Sequence, residues 1–187
     1  MPVAVAKLTW DDIKDWPETR VELVDGEAVF QPVPSINHQR ICQNLGNAVL
    51  PYVESNRLGE FSFHPIHIIL DPGVEYEPDC CFIAAGRDTD PNGDYFRGAP
   101  DMIAEVVSES NRSHDTVVKF RDYERFGVRE YWLVDPRALH VRIFHLDEAG
   151  KYACLGVFSS GESINSCLFP DLVLDHASLF WRVTLCP

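Results

Sequence analysis

The chain has 187 residues, 45% of them hydrophobic and 24% charged, with a formal net charge of −13 at neutral pH. That apolar fraction excludes intrinsic disorder, and the length suits a single domain spanning residues 1–187. The acidic balance argues against a broad non-specific nucleic-acid surface, which needs Lys and Arg to neutralise phosphate, and no apolar run reaches the ~18 residues of a membrane span.

Met1 to Trp10 has neither a basic start nor a long apolar stretch, so no signal peptide is read there and a cytoplasmic location is expected. Thr9, three residues before Asp12, predicts a short helix that stops before Pro17. Val21–Val24 and Glu27–Phe30 flank Asp25-Gly26, the signature of a β-hairpin. Ser35 then caps a longer helix, on which His38, Ile41, Cys42, Leu45, Val49 and Tyr52 form one apolar stripe, with Pro51 and Gly59 limiting its length. Phe61–Leu70 reads as a strand, Asp71-Pro72-Gly73 as a turn, Pro78–Ala84 as a strand and Gly86–Gly98 as a loop.

Asp101–Ser108 reads as a buried strand, and Ser113–Phe126 as a helix closed by Gly127. Glu130–Val134 and Leu139–Leu146 form strands around an Asp135-Pro136 turn, Lys151–Phe158 adds another, and Asp175–Val183 suits a terminal helix. Antiparallel hairpins beside a strand–helix–strand unit predict an α/β (α+β) fold with one mixed central β-sheet flanked by helices.

Other signals are weak. The six cysteines form no C-x-x-C pair, which excludes a zinc ribbon or thioredoxin-like motif and leaves reduced thiols as the expectation. His64 and His67 are three apart, hence on opposite faces of a strand. No Walker or G-x-G-x-x-G spacing occurs, so no nucleotide cofactor is expected. Between residues 112 and 129 the chain is locally basic, through Arg112, Lys119, Arg121, Arg125 and Arg129.

Three polar residues sit where a core would exclude them. Asp79 opens an apolar strand, and Glu105 lies inside Met102-Ile103-Ala104-Glu105-Val106-Val107. Lys119 shares a helix face with Phe120, Tyr123 and Phe126, so it projects toward the sheet. A carboxylate inside an apolar strand is costly unless paired or metal-bound. Two such acids and an inward lysine suit a hard divalent cation, with the lysine positioning or deprotonating an attacking water. A buried Glu–Lys pair serves equally as a plain ion pair, so these residues alone leave both readings open.

Pro78-Asp79 followed by Glu105-Val106-Val107 resembles the PD-(D/E)XK nuclease signature, except that Val107 stands where that pattern has lysine. With the lysine supplied instead by Lys119 of the following helix, the chain resembles the Uma-type family of putative restriction endonucleases. The likeness takes in Val21 to Glu27, Pro34-Ser35 with His38, Glu77-Pro78-Asp79, Glu105 to Ser108, Asp115 with Lys119 and Tyr123, and Gly127 to Pro136. The stretch from Lys119 to Pro136 is its most specific part.

The resemblance implies a restriction-endonuclease-like fold and metal-dependent hydrolysis of DNA phosphodiesters. Asp79 and Glu105, with the backbone carbonyl of Val106, would hold Mg²⁺ or Mn²⁺, and Lys119 would orient the water. Glu22 is a further candidate for the acidic cluster, otherwise an exposed strand residue. His38 is a candidate for phosphate contact, otherwise a core histidine, and Tyr123 is expected to pack. Cutting both strands of a duplex makes a homodimer the expectation. Two rival functions stand beside the nuclease: an interaction module that kept the fold without the chemistry, and a metal-dependent hydrolase of another phosphodiester.

Overall fold

A computed structural model of the chain describes residues 7–17, 20–87, 93 and 95–184. Helix α1 (Trp10–Ile13) opens as expected, the Asp12 carboxylate accepting both the backbone N–H and the hydroxyl of Thr9, at 2.8 and 2.7 Å. Strands β1 (Val21–Val24) and β2 (Glu27–Phe30) form the hairpin, with Asp25 and Gly26 at φ 48° and 81° in its turn.

Helix α2 (Ile36–Ser55) begins where Ser35 accepts the His38 N–H at 3.2 Å. It runs past Pro51. Pro51 and Asn47, whose carbonyl loses its usual donor, both lie on the exposed side, where water takes the place of the missing N–H. Its buried stripe is Ile41, Cys42, Leu45, Val49 and Val53, with Tyr52 at the margin.

The single strand expected over Phe61–Leu70 is instead two, β3 (Gly59–Ser62) and β4 (His67–Asp71), in different sheets. The break follows from chemistry: Ser62 bonds back onto His64 through its hydroxyl, and Pro65 has no N–H to continue a ladder. Two short strands also escape the sequence pattern. They are β5 (Val74–Tyr76) and β7 (Tyr95–Arg97), the latter inside the stretch read as a loop, of which residues 88–92 and 94 lie outside the described residues.

Strands β6 (Cys80–Ala84) and β8 (Met102–Val106) follow the expected pattern. The helix expected over Ser113–Phe126 begins with a π-helical segment, His114–Lys119, and continues as α3 (Phe120–Phe126). Strands β9 (Glu130–Asp135), β10 (His140–Leu146) and β11 (Tyr152–Phe158) then form a meander. The terminal helix α4 is only His176–Leu179.

The strands divide between two mixed sheets where one was expected. The larger has the order β11-β10-β9-β8-β6-β3, the smaller β2-β1-β5-β4-β7. β8 and β9 are parallel, and the segment carrying Lys119 is the crossover between them. The larger sheet is buried on both faces. One face packs Cys80, Phe82, Met102, Ala104, Val106 and Trp132 against α2 and the C-terminal segment. The other packs Cys81, Ile83, Ile103, Val107, Tyr131 and Leu133 against α3 and the smaller sheet's Ile68, Val74, Tyr76 and Phe96. The adjacent thiols Cys80 and Cys81 thus fill opposite cores, as small apolar groups do. Trp10, Ile13, Val21, Leu23 and Ile69 form a third cluster on the smaller sheet.

Gly127 ends α3 at φ 88°, its N–H shared between the carbonyls of Tyr123 and Glu124. A Cβ there meets nothing within 4 Å, so replacement strains only the backbone. Gly127→Ala is expected to cost about 1–2 kcal/mol, read as a lower urea midpoint with an unchanged m-value.

Candidate active site

β8 is the central strand of the arrangement. Glu105 shares a face with Ile103 and Val107, so it points into the core beneath α3 and is 3% exposed. Val107, where the nuclease signature has lysine, is part of that core at 4% exposed, and a long cation has no room to leave it. Asp79 immediately precedes β6, and its Oδ2 accepts the Val106 N–H at 2.7 Å. That bond ties the mouth of β6 to the end of β8 and sets the two acids side by side at neighbouring strand ends.

Lys119 arrives from the crossover. It is 4% exposed, and its Nζ lies 2.7 Å from Glu22 Oε1 and 2.9 Å from Glu105 Oε1. Tyr123, expected only to pack, does so and also donates its hydroxyl to the same Glu105 oxygen at 2.9 Å. Glu22 is not an exposed strand residue; it is 1% exposed and belongs to this cluster. Its other oxygen receives His114 Nε2 at 2.6 Å and Gln31 Nε2 at 2.7 Å, while the Glu77 N–H donates to Oε1 at 3.2 Å. Asn111 in turn donates to Gln31.

The π-helical turn explains why both His114 and Lys119 reach Glu22. Residues five apart on an α-helix diverge by about 140°. In a turn closed by i→i+5 bonds they return to nearly the same direction. Periodicity therefore could not reveal His114, and Gln31 and Asn111 carry no sequence signal of their own. Asp115, which stands in the family resemblance, is buried beside Lys119.

His38 uses both ring nitrogens, Nε2 on Asp79 Oδ2 at 2.9 Å and Nδ1 toward the Cys42 thiol at 3.7 Å. It orients Asp79 and has no nitrogen left for phosphate in this arrangement. Val106 lines the cleft above the pair.

The electrostatics are those of crowded acids. Burial, reinforced by nearby Asp79, Asp115 and Glu22, raises the Glu105 carboxyl well above its ordinary value against the opposing charge of Lys119. Burial also pushes Asp115 up to about 6. Burial works to raise Glu22 too, but Lys119 and His114 outweigh it and hold that carboxylate below the usual range. For Lys119 burial would favour the neutral amine; Glu105, Glu22 and Asp115 reverse this and hold the ammonium well above its ordinary value. His38 behaves alike: burial disfavours its charge, yet the bond to Asp79 pushes it up to about 10. Three carboxylates thus gather around one lysine, with Asp79 beside Glu105. This acidic excess, all in hard oxygen donors, fits a divalent cation held by Asp79 and Glu105.

These residues floor a cleft of about 650 Å³ whose mouth carries Arg20, Arg112 and Arg137. Glu22, Glu105 and Asp115 are buried while the Arg112 and Arg137 side chains are 48% and 76% exposed, so arginines stand above an acidic floor, with the exposed Glu109 beside Arg137 at the rim. The basic run from Arg112 to Arg129 does not act as one surface. Arg121 pairs with Asp122 and Asp25, Arg129 with Asp101, and Arg125 lies over Phe126; only Arg112 and Lys119 reach the cleft.

Among the described residues no helix is long and apolar enough to cross a membrane. Known proteins now bear on the arrangement. The fold is similar to the crystal structure of a putative nuclease belonging to DUF820 from Anabaena variabilis, with a TM-score of 0.80 over 95% of this chain and 99% of that one. Sequence identity is 20%, so the likeness establishes the fold. No curated protein matches the sequence. The family described as Uma2, putative restriction endonuclease, matches residues 10–177, spanning every element that builds the cleft. With its fold and nearly its whole length matched, the chain belongs to the Uma2 family of putative restriction endonucleases.

Proposed function

We propose that the protein is a metal-dependent endonuclease that hydrolyses DNA phosphodiester bonds in the arginine-rimmed cleft, working as a homodimer when both strands are cut. The observation that carries this reading is one buried ammonium, Lys119, held between acids of β1 and β8 beside Asp79. Family membership gives the reaction class its support.

Asp79, Glu105 and the Val106 carbonyl would hold Mg²⁺ or Mn²⁺. When bound, such an ion supplies Lewis acidity toward the phosphodiester and makes water easier to deprotonate. The chain's own residues do the rest. Val106 N–H and His38 fix the Asp79 carboxylate, and the Tyr123 hydroxyl fixes Glu105. Lys119 stays protonated, so it positions water and does not deprotonate it. Among the described residues two of its three N–H donors are taken by carboxylates, leaving one for the attacking water or a phosphate oxygen. The rim arginines contact the backbone on either side of the scissile phosphate and carry no base specificity.

Cleavage of plasmid and single-stranded DNA with Mg²⁺ or Mn²⁺ tests the reading. Asp79→Ala and Glu105→Gln should each reduce cleavage at least 100-fold, while Glu105→Gln leaves the melting temperature unchanged or raised, because it relieves a buried charge. Cleavage that survives both substitutions would come from another site or a contaminant, and a wild-type protein inert with both ions would leave the interaction module or a hydrolase of another phosphodiester.

Lys119→Met should destabilise the fold by about 3–5 kcal/mol, since it strands Glu105 without a counter-charge and leaves Glu22 only His114; chemical denaturation reads this directly. Arg137 is exposed, and among the described residues its guanidinium pairs only with the exposed Glu109. In an Asp79→Ala background, Arg137→Ala should weaken DNA binding uniformly across sequences and flatten the salt dependence of log K by about 0.9 for the lost phosphate contact.

A further inference from the structure

A second cluster of ligating groups lies behind the candidate active site, on the smaller sheet. The β4–β5 register pairs Ile68 with Tyr76 and Ile69 with Glu75, and its continuation sets His67 opposite Glu77. Alternation then places His67, Glu75 and Glu77 on one face of the sheet. His67 Nδ1 is 2.9 Å from Glu75 Oε1 and 3.5 Å from Glu77 Oε1, and one ligand atom from each of the three residues lies within 4.8 Å of the others.

Glu75 is the telling member. It is fully buried, on a face otherwise lined by Trp10, Val21, Leu23 and Ile69, and its Oε2 has no hydrogen-bond partner among the described residues. The carboxylate is turned onto His67, whose side chain is 38% exposed and opens the cluster to solvent. Two carboxylates therefore share one imidazole, and one of their oxygens lacks any partner in a place water reaches poorly.

Two other groups of similar make-up differ. Glu130, near His145 and Cys167, has its oxygens occupied by donors from Trp132, Ser166 and the Cys167 backbone. His38, Cys42 and Asp79 belong to the cleft already described.

We propose that His67, Glu75 and Glu77 form a second metal site, on the smaller sheet next to the nuclease cleft that Glu77 also lines, that takes a divalent transition metal of the zinc class. One imidazole nitrogen with two carboxylates suits Zn²⁺, whereas the cleft's all-oxygen set suits a hard ion. The Glu77 N–H bonds Glu22, so an ion here pins β5 beside the carboxylate that holds Lys119. Trp10, whose ring centroid is 4.7 Å from that of His67, covers the site.

The test is zinc stoichiometry of the full chain, stripped with chelator, equilibrated with Zn²⁺ and measured by elemental analysis. His67→Asn and Glu77→Gln alter partly exposed side chains, and circular dichroism checks their folding. Wild type should retain one more equivalent of zinc than either variant, with His38, Cys42, Asp79 and His145 intact in all three. Equal zinc content in wild type and variants, or none in wild type, overturns the site. The outcome is independent of whether the protein cuts DNA.

Discussion

Lys119 carries a charge in a place with almost no water, held between Glu22 and Glu105. Removing the lysine would take away the one side chain that both glutamates share, so it ties β1, β8 and the crossover helix into one arrangement. The smaller sheet supplies Glu22, the larger supplies Glu105, and the lysine fastens them together. The cleft exists because the two sheets are held at that junction.

That fastening is an expensive way to stabilise a domain. A well-packed apolar triad would do as well or better, and Tyr123, Tyr131 and Val107 already fill the space around it. Keeping acids where burial and mutual repulsion oppose their ionisation makes sense when an ion is to be received there. The arginines at the mouth reconcile a net charge of −13 with the polyanionic substrate proposed above. Net charge describes the whole surface, whereas that substrate would meet only the cleft.

Several parts of this arrangement were legible in the chain. Asp79, Glu105 and Lys119 stood out because each is a charge at a position whose neighbours are apolar, and the structure brings them to one cleft. The β1–β2 hairpin, the Ser35 cap and the stop at Gly127 are local events, governed by a few adjacent residues. His114 was not legible, because a π-helical turn follows no α-helical period. Gln31, Asn111 and the burial of Glu22 depend on a sheet partner far away in sequence.

By itself the sequence determined the mixed α+β class, the main helices and most strands, and the identity of the charged residues that have no place in an ordinary core. Those follow from periodicity, capping and turn chemistry, which act over a handful of residues. Only the tertiary structure decided that the strands split into two sheets, that His38 faces Asp79 with both nitrogens engaged, and that His67 meets Glu75 and Glu77. Pairing between strands is set by which apolar faces bury together, and a one-residue change in register would turn every one of those side chains to the opposite face.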